Sequence, residues 1–280
     1  MAPFAKWPPR VNSVTKLDVV REERGLKYSR DQGTSFRFLG EWYYFFGDTF
    51  CFNPQGQYIP DVVCNNIAKI SDVTKPALCR YDELDSTGKC YMFIPFIDDE
   101  IKVSNARCIL WVFGGVVEVE PCVGFAWAEK CILHNDTGVT EYCGTVLAQI
   151  GLDSKTGRLC ATRLQGTIFG SQEPRIGTLC NIVDGDYVYL FGPTVVTILA
   201  RVAKGSVAVR GAYEFWNGKT WVKEYQSGAV LFQDMQQGHV FRSKLFGPSR
   251  PWVFIGSNKV CFIHFWSLVR ADSSSGWTER

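Results

Sequence analysis

The chain has 280 residues, 46% hydrophobic, 21% charged and 14% aromatic, with 30 basic against 28 acidic residues and a net charge of +2. Such a chain buries a sizeable core, which excludes disorder and coiled coil, and its charges form no long single-sign block to attract a nucleic-acid backbone or an anionic membrane. The longest uncharged apolar stretch, Cys108 to Val117, is half of the ~20 residues a membrane-spanning helix needs.

The N-terminal segment places prolines at Pro3, Pro8 and Pro9 and charges at Lys6 and Arg10, so no apolar signal-peptide core fits there. A cytoplasmic protein is expected, with about the first 12 residues loosely ordered. Beyond it, short aromatic runs bounded by glycine, aspartate and asparagine have the strand signature: Tyr43–Asp48, Tyr91–Pro95, Leu110–Gly114, Tyr187–Gly192 and Trp252–Gly256. Five runs in 280 residues predict five repeats of about 56 residues, which suits a single-domain five-bladed β-propeller with four strands per blade. A β-sandwich is the architectural alternative. Asp85–Gly88, Asp153–Gly157, Asp184–Asp186 and Asn217–Gly218 supply turn residues for antiparallel hairpins.

Eleven cysteines form no CxxC pair and no compact framework, and are expected to be reduced, buried small hydrophobes. Two Cys-x-x-His pairs, Cys131/His134 and Cys261/His264, lie in apolar strand-like context, where residues three apart point to opposite faces. No metal is expected from them. The sequon at Asn135 has no occasion for use without export. Phosphate-cradling, dinucleotide, HExxH and GxSxG motifs are all absent, which disfavours nucleotide chemistry and the common serine hydrolase.

What remains is the polar cluster Ser29-Arg30-Asp31-Gln32-Gly33-Thr34 and the strand that ends in Gly47-Asp48-Thr49. The string RDQGTSFRFLGEWYYFFGDTF, then Asn65-Asn66-Ile67-Ala68, DGDYVYLFG running into LARV and AYEFWNGKTW, and a late WVFIGSN resemble a family of five-bladed propellers that includes bacterial endo-arabinanases. The resemblance covers nearly the whole chain. In a short, cysteine-rich, signal-less chain it is nearest to the fungal hetero-Diels–Alderases of tropolone-sesquiterpenoid biosynthesis.

That resemblance implies a pair of catalytic carboxylates, Asp31 and Asp48. It implies a cofactor-independent reaction: loss of a hydroxyl from a hydroxymethyl tropolone gives a quinone methide, which a humulene-type alkene traps. The partners would be small aromatic and terpenoid molecules. Gln32 adjoins the acidic pair, Trp127, Phe169 and Tyr58 would supply an apolar wall, and Asn65, Asn66, Glu173, Gln236, Gln237 and His239 lie where a propeller brings strands toward its channel. Asn65 and Asn66 read equally as turn caps. A glycoside hydrolase using the same carboxylates, and a non-catalytic propeller that binds partners on one face, remain as other readings.

Overall fold

The computed structural model describes residues 13–101, 105–164, 166–193, 197–226, 231, 235–258, 263–268 and 278–279. The chain divides into two compact units, Leu17–Glu173 and Pro174–Arg280 with Met1–Lys16.

In the unit Leu17–Glu173, β1 (Arg21–Glu22), β2 (Tyr28–Arg30), β3 (Gly33–Phe38), β4 (Glu41–Phe46), β5 (Thr49–Cys51), β6 (Asn66–Ile70) and β7 (Leu78–Cys79) precede a four-residue helix, α1 (Asp98–Ile101). Then follow β8 (Ala106–Trp111), β9 (Val117–Glu120), β10 (Val123–His134), β11 (Thr140–Leu152), β12 (Leu159–Arg163) and β13 (Phe169–Gly170). Strands β3, β4 and β6 form one antiparallel sheet, and β8, β10, β11 and β12 a second, with β9 and β13 at its margins. Inward-facing Phe36, Phe38, Phe45, Ile109, Ala126, Val146 and Ile150 pack into one core. The alternating pattern of β6, buried at Asn66, Ala68 and Ile70, is what a strand with one face on a core requires.

The second unit contains β14 (Cys180–Asp184), β15 (Tyr187–Gly192), β16 (Ile198–Ala203), β17 (Glu214–Trp216) and β18 (Trp221–Val222), which pair in sequence order. A further meander follows, of β19 (Met235–Arg242), β20 (Trp252–Asn258), β21 (Ile263–Leu268) and β22 (Thr278–Glu279). Phe191, Leu199, Val240, Trp252 and Phe254 build its core. The fold is therefore nearly all β, with little helix, and among the described residues no helix is long and apolar enough to cross a membrane.

The LARV, YEFW and W elements explain themselves here. Arg201 of β16 lies opposite Glu214 of β17 and donates to it at 2.8 Å, while its guanidinium covers the rings of Tyr187 and Trp221 at 4.5 and 4.3 Å. Arginine stacked between aromatics ties four successive strands into one sheet. The expected turns also form: Asp85 accepts from the Thr87 and Lys89 amides and Asn217 from those of Lys219 and Thr220, while Gly88 and Gly218 take positive φ.

One of the five aromatic runs is not a strand, and Leu110–Gly114 is strand only at Leu110 and Trp111. Tyr91–Pro95 runs irregularly, because its amides go elsewhere: Ile94 N–H donates to the Asn65 side chain at 2.6 Å, Phe93 N–H to the Asn65 carbonyl at 3.1 Å, and Pro95 has no N–H to give. The described residues hold four meandering sheets of three or more strands, where five repeats were expected.

Candidate functional site

Asp31 and Asp48 come together where two chain segments leave one sheet and enter another. Strands β2 and β5 pair in antiparallel register with Arg30 opposite Thr49, and β3 and β4 pair with Gly33 opposite Phe46. Between these ladders Asp31 N–H donates to the Asp48 carbonyl at 2.8 Å. Gln32 turns the chain with φ 61° and is exposed. Gly47 is required opposite it, since a Cβ there would sit 2.8 Å from the Asp31 carbonyl oxygen. Asp31 is exposed and Asp48 half-buried.

Asp48 is gripped from β8. Arg107 donates through Nη2 to one carboxylate oxygen at 2.9 Å and Trp111 through Nε1 to the other at 3.2 Å. Arg107 and Trp111 are four apart on a strand, hence on one face. The Arg107 side chain retains 30% exposure and that of Asp48 15%, yet Arg107 Nη1 is buried without a protein partner. Beside the pair, burial pushes the Cys64 thiol above its ordinary value, so it stays protonated. Neither Arg107 nor Trp111 was singled out by the sequence reading, although a lone arginine entering the apolar run Cys108–Trp111 is a signal that could have found them.

Below the turn a buried polar chain fixes the strands. Asn66 donates to the Thr49 hydroxyl at 2.8 Å and accepts from Tyr81 at 2.9 Å, and Tyr81 in turn accepts from Arg30 Nε at 3.1 Å. Arg30 lies over the Phe46 ring at 4.4 Å. Asn65 and Asn66 are both fully buried and spend their amides on the protein, Asn65 on the Tyr91–Pro95 segment, so neither faces a ligand. They are structural pins, deeper than the turn caps considered for them.

Other expected residues fall elsewhere. Trp127 and Phe169 are at 0% exposure and form no wall that a substrate could reach. Trp127→Ala should accordingly act on stability, lowering it by about 3–5 kcal/mol in denaturant unfolding, with no selective effect on ligand binding in the fraction that folds. Tyr58 is exposed, beside Phe50 and Phe52 at the far end of β5. Glu173 closes its own turn by accepting from Gly170 N–H at 2.7 Å. Gln236, Gln237 and His239 are exposed on β19 in the other unit. Cys131 is buried, while His134 meets Glu141 at 3.3 Å. Cys261 lies outside the described residues, and no cluster of three metal-ligating side chains occurs among the described ones.

A second feature was not anticipated. Between β6 and β12, two adjoining cavities of about 530 and 560 Å³ share Tyr43, Lys69, Asp82, Arg158 and Leu159 and form one groove. Tyr81, Tyr91 and Phe93 add aromatic surface. Burial, with Asp82 and Glu41 nearby, pushes Tyr43 up to about 12, which leaves its hydroxyl a donor. Of the groove's acids, Glu83 is paired with Arg158 and Glu41 with Lys69, and Asp153 caps its own turn through Thr156, whose hydrogen bonds hold its carboxyl below the usual range.

The chain matches no protein-family model and no curated protein. Among solved structures it is similar to a Bacteroides ovatus ATCC 8483 protein described as a "putative hydrolase", with a TM-score of 0.57 and 13% identity over 86% of this chain and 67% of that one. It also aligns with Trypanosoma rangeli sialidase in complex with 2,3-difluorosialic acid, at TM-score 0.42 and 11% identity over 90% of this chain and 37% of that one. The polysaccharide lyase Uly1 aligns at TM-score 0.39 and 12% identity, over 87% of this chain and 46% of that one. The first of these shows a shared all-β fold. The other two are too distant in shape to add to it.

Proposed function

We propose that the chain is an enzyme that works on a small oxygen-bearing aromatic substrate at the Asp31–Asp48 turn. The reaction would be loss of a hydroxyl from a hydroxymethyl tropolone and capture of the resulting quinone methide by a sesquiterpene alkene. The observation that carries this reading is Arg107, anchored by Asp48 through Nη2 while its side chain keeps 30% exposure beside exposed Asp31. A guanidinium so held is placed to donate a hydrogen bond to the quinone-methide oxygen, which takes up electron density as the alkene adds. Asp31, exposed and joined by its backbone to Asp48, is the group available to transfer a proton to the leaving hydroxyl. The chemistry asks for no cofactor. The meander order of the sheets favours the blades of a β-propeller, and we retain five as the proposed number.

The groove between β6 and β12 favours a second reading, action on a polymeric glycan. Hydrolysis there needs two carboxyl groups about 5–9.5 Å apart with distinct roles. With Glu41, Glu83 and Asp153 engaged, Asp82 is left without a ready partner acid, which supports binding more than cleavage. Incubation of the purified protein with a hydroxymethyl tropolone and humulenol, and separately with pentose polymers, tests both. Cycloadduct formed without added metal or nucleotide is expected; release of reducing sugar without cycloadduct would replace this reading with the hydrolase, and neither product would leave a binding platform.

A further inference from the structure

Cys51 and Cys90 are 39 residues apart in the chain, yet their Sγ atoms lie 3.6 Å from each other, one thiol donating to the other. Cys51 ends β5 and faces the core because Thr49, Phe50 and Cys51 alternate buried, exposed, buried. Cys90 is brought to it by the hairpin that Asp85 closes, where Leu84 and Cys90 bridge. Both are buried, at 0% and 3% exposure. Two sulfurs in contact need approach by only about 1.5 Å to reach the bonded distance. We propose that Cys51 and Cys90 are a dithiol modification site that a small peroxide converts to an intramolecular disulfide.

The electrons balance in two steps. The Cys51 sulfur attacks one oxygen of hydrogen peroxide, breaking the O–O bond, so that Cys51 becomes a sulfenic acid and water leaves. The Cys90 sulfur then attacks the Cys51 sulfur, the S–OH bond breaks, and the hydroxyl departs as a second water with the Cys90 proton. Two thiols are oxidised and one peroxide is reduced. The local chemistry favours Cys51 as the attacking group, because the hydrogen bond from Cys90, helped by Lys89, draws its thiol down to about 7, while the same contact and burial push Cys90 up. Burial selects the oxidant: a water-sized peroxide reaches a site that a bulky disulfide reagent does not. The bond would tie β5, next to the Thr49–Asn66 contact, to the segment after Tyr81, closing a loop around both asparagines.

The test is peptide mapping of the full chain after native treatment with hydrogen peroxide and alkylation of remaining thiols. The expected result is a cross-linked pair of peptides bearing Cys51 and Cys90, reversed by a thiol reductant, together with a rise in melting temperature of about 5–10 °C. Exposed Cys122 should be alkylated or oxidised singly in the same sample. Cys90→Ser should remove the cross-link and the thermal shift, and leave a sulfenic acid on Cys51 that dimedone captures. If wild-type Cys51 and Cys90 are both recovered alkylated after denaturation, or Cys51 proceeds to sulfinic acid with no cross-link, the proposal is overturned. The wild-type map decides the matter even if the serine variant does not fold.

Discussion

Replacing Arg107 with methionine is expected to slow conversion of a hydroxymethyl tropolone by about 10²–10³-fold, the loss associated with one preorganised donor to a developing oxyanion. Asp31→Asn should cost about 10²–10⁴-fold, the usual contribution of a general acid or base. The two substitutions have different signatures. Asp31→Asn should lower kcat and leave substrate binding nearly intact, since it changes a proton and not a shape. Arg107→Met should weaken both, and Arg107→Lys should restore little, because an ammonium lacks the planar, delocalised group that Asp48 holds in a fixed orientation. Single-turnover rates and binding measured separately on folded variants check this. A fully active Arg107→Met would remove the observation on which the proposed reaction stands.

The second large effect concerns stability. Glu100, on the four-residue helix α1, is buried with Arg163, which grips it with two nitrogens at 2.9 and 3.0 Å, and Lys130 adds a contact at 2.8 Å. Glu100→Ala leaves Arg163, only 3% exposed, charged in the interior with no carboxylate, and should lower unfolding free energy by about 3–5 kcal/mol. Burial works to raise the Glu100 carboxyl, but hydrogen bonds from Arg163, Lys130 and the Ile97 amide outweigh it and hold the group below its ordinary value. A carboxyl depressed in the folded state stabilises at pH above its unfolded value, about 4.3, and that contribution is lost as pH falls through the folded value. Wild-type protein should therefore lose stability on acidification in this window, and Glu100→Gln should show a shallower acid limb. Parallel acid limbs in chemical unfolding would show that Glu100 is not the linked group.

The fold was legible to the extent that local chemistry decides it. Aromatic runs separated by Asp-, Asn- and Gly-bearing turns favour antiparallel hairpins: Tyr187–Gly192 and Trp252–Gly256 lie wholly in strands, Tyr43–Asp48 as far as Phe46, and Leu110–Gly114 only at Leu110 and Trp111. Tyr91–Pro95 fails because strand propensity does not say where amides find partners, and here Asn65, distant in sequence, takes them. The resemblance implied a pair of carboxylates at Asp31 and Asp48, and the structure joins the two residues by a backbone hydrogen bond. Trp127 misled for a different reason. On β10, flanked by strands on both sides and covered on both faces, six successive residues from Gly124 to Glu129 are buried, so alternation no longer separates a core side from an open one.

What the amino-acid sequence by itself determined is the all-β class, the positions of its hairpin turns and the apolar setting of most cysteines. These are consequences of φ preferences and short-range periodicity, which act over a few residues. Tertiary structure alone decided which polar groups meet. Arg107 reaches Asp48 across 59 positions, Arg163 reaches Glu100 across 63, Cys51 touches Cys90, and two strand edges with no sequence relation enclose a groove. Such pairings depend on the register and crossing of whole sheets, where many weak packing contacts act together, and no single residue or local period encodes them.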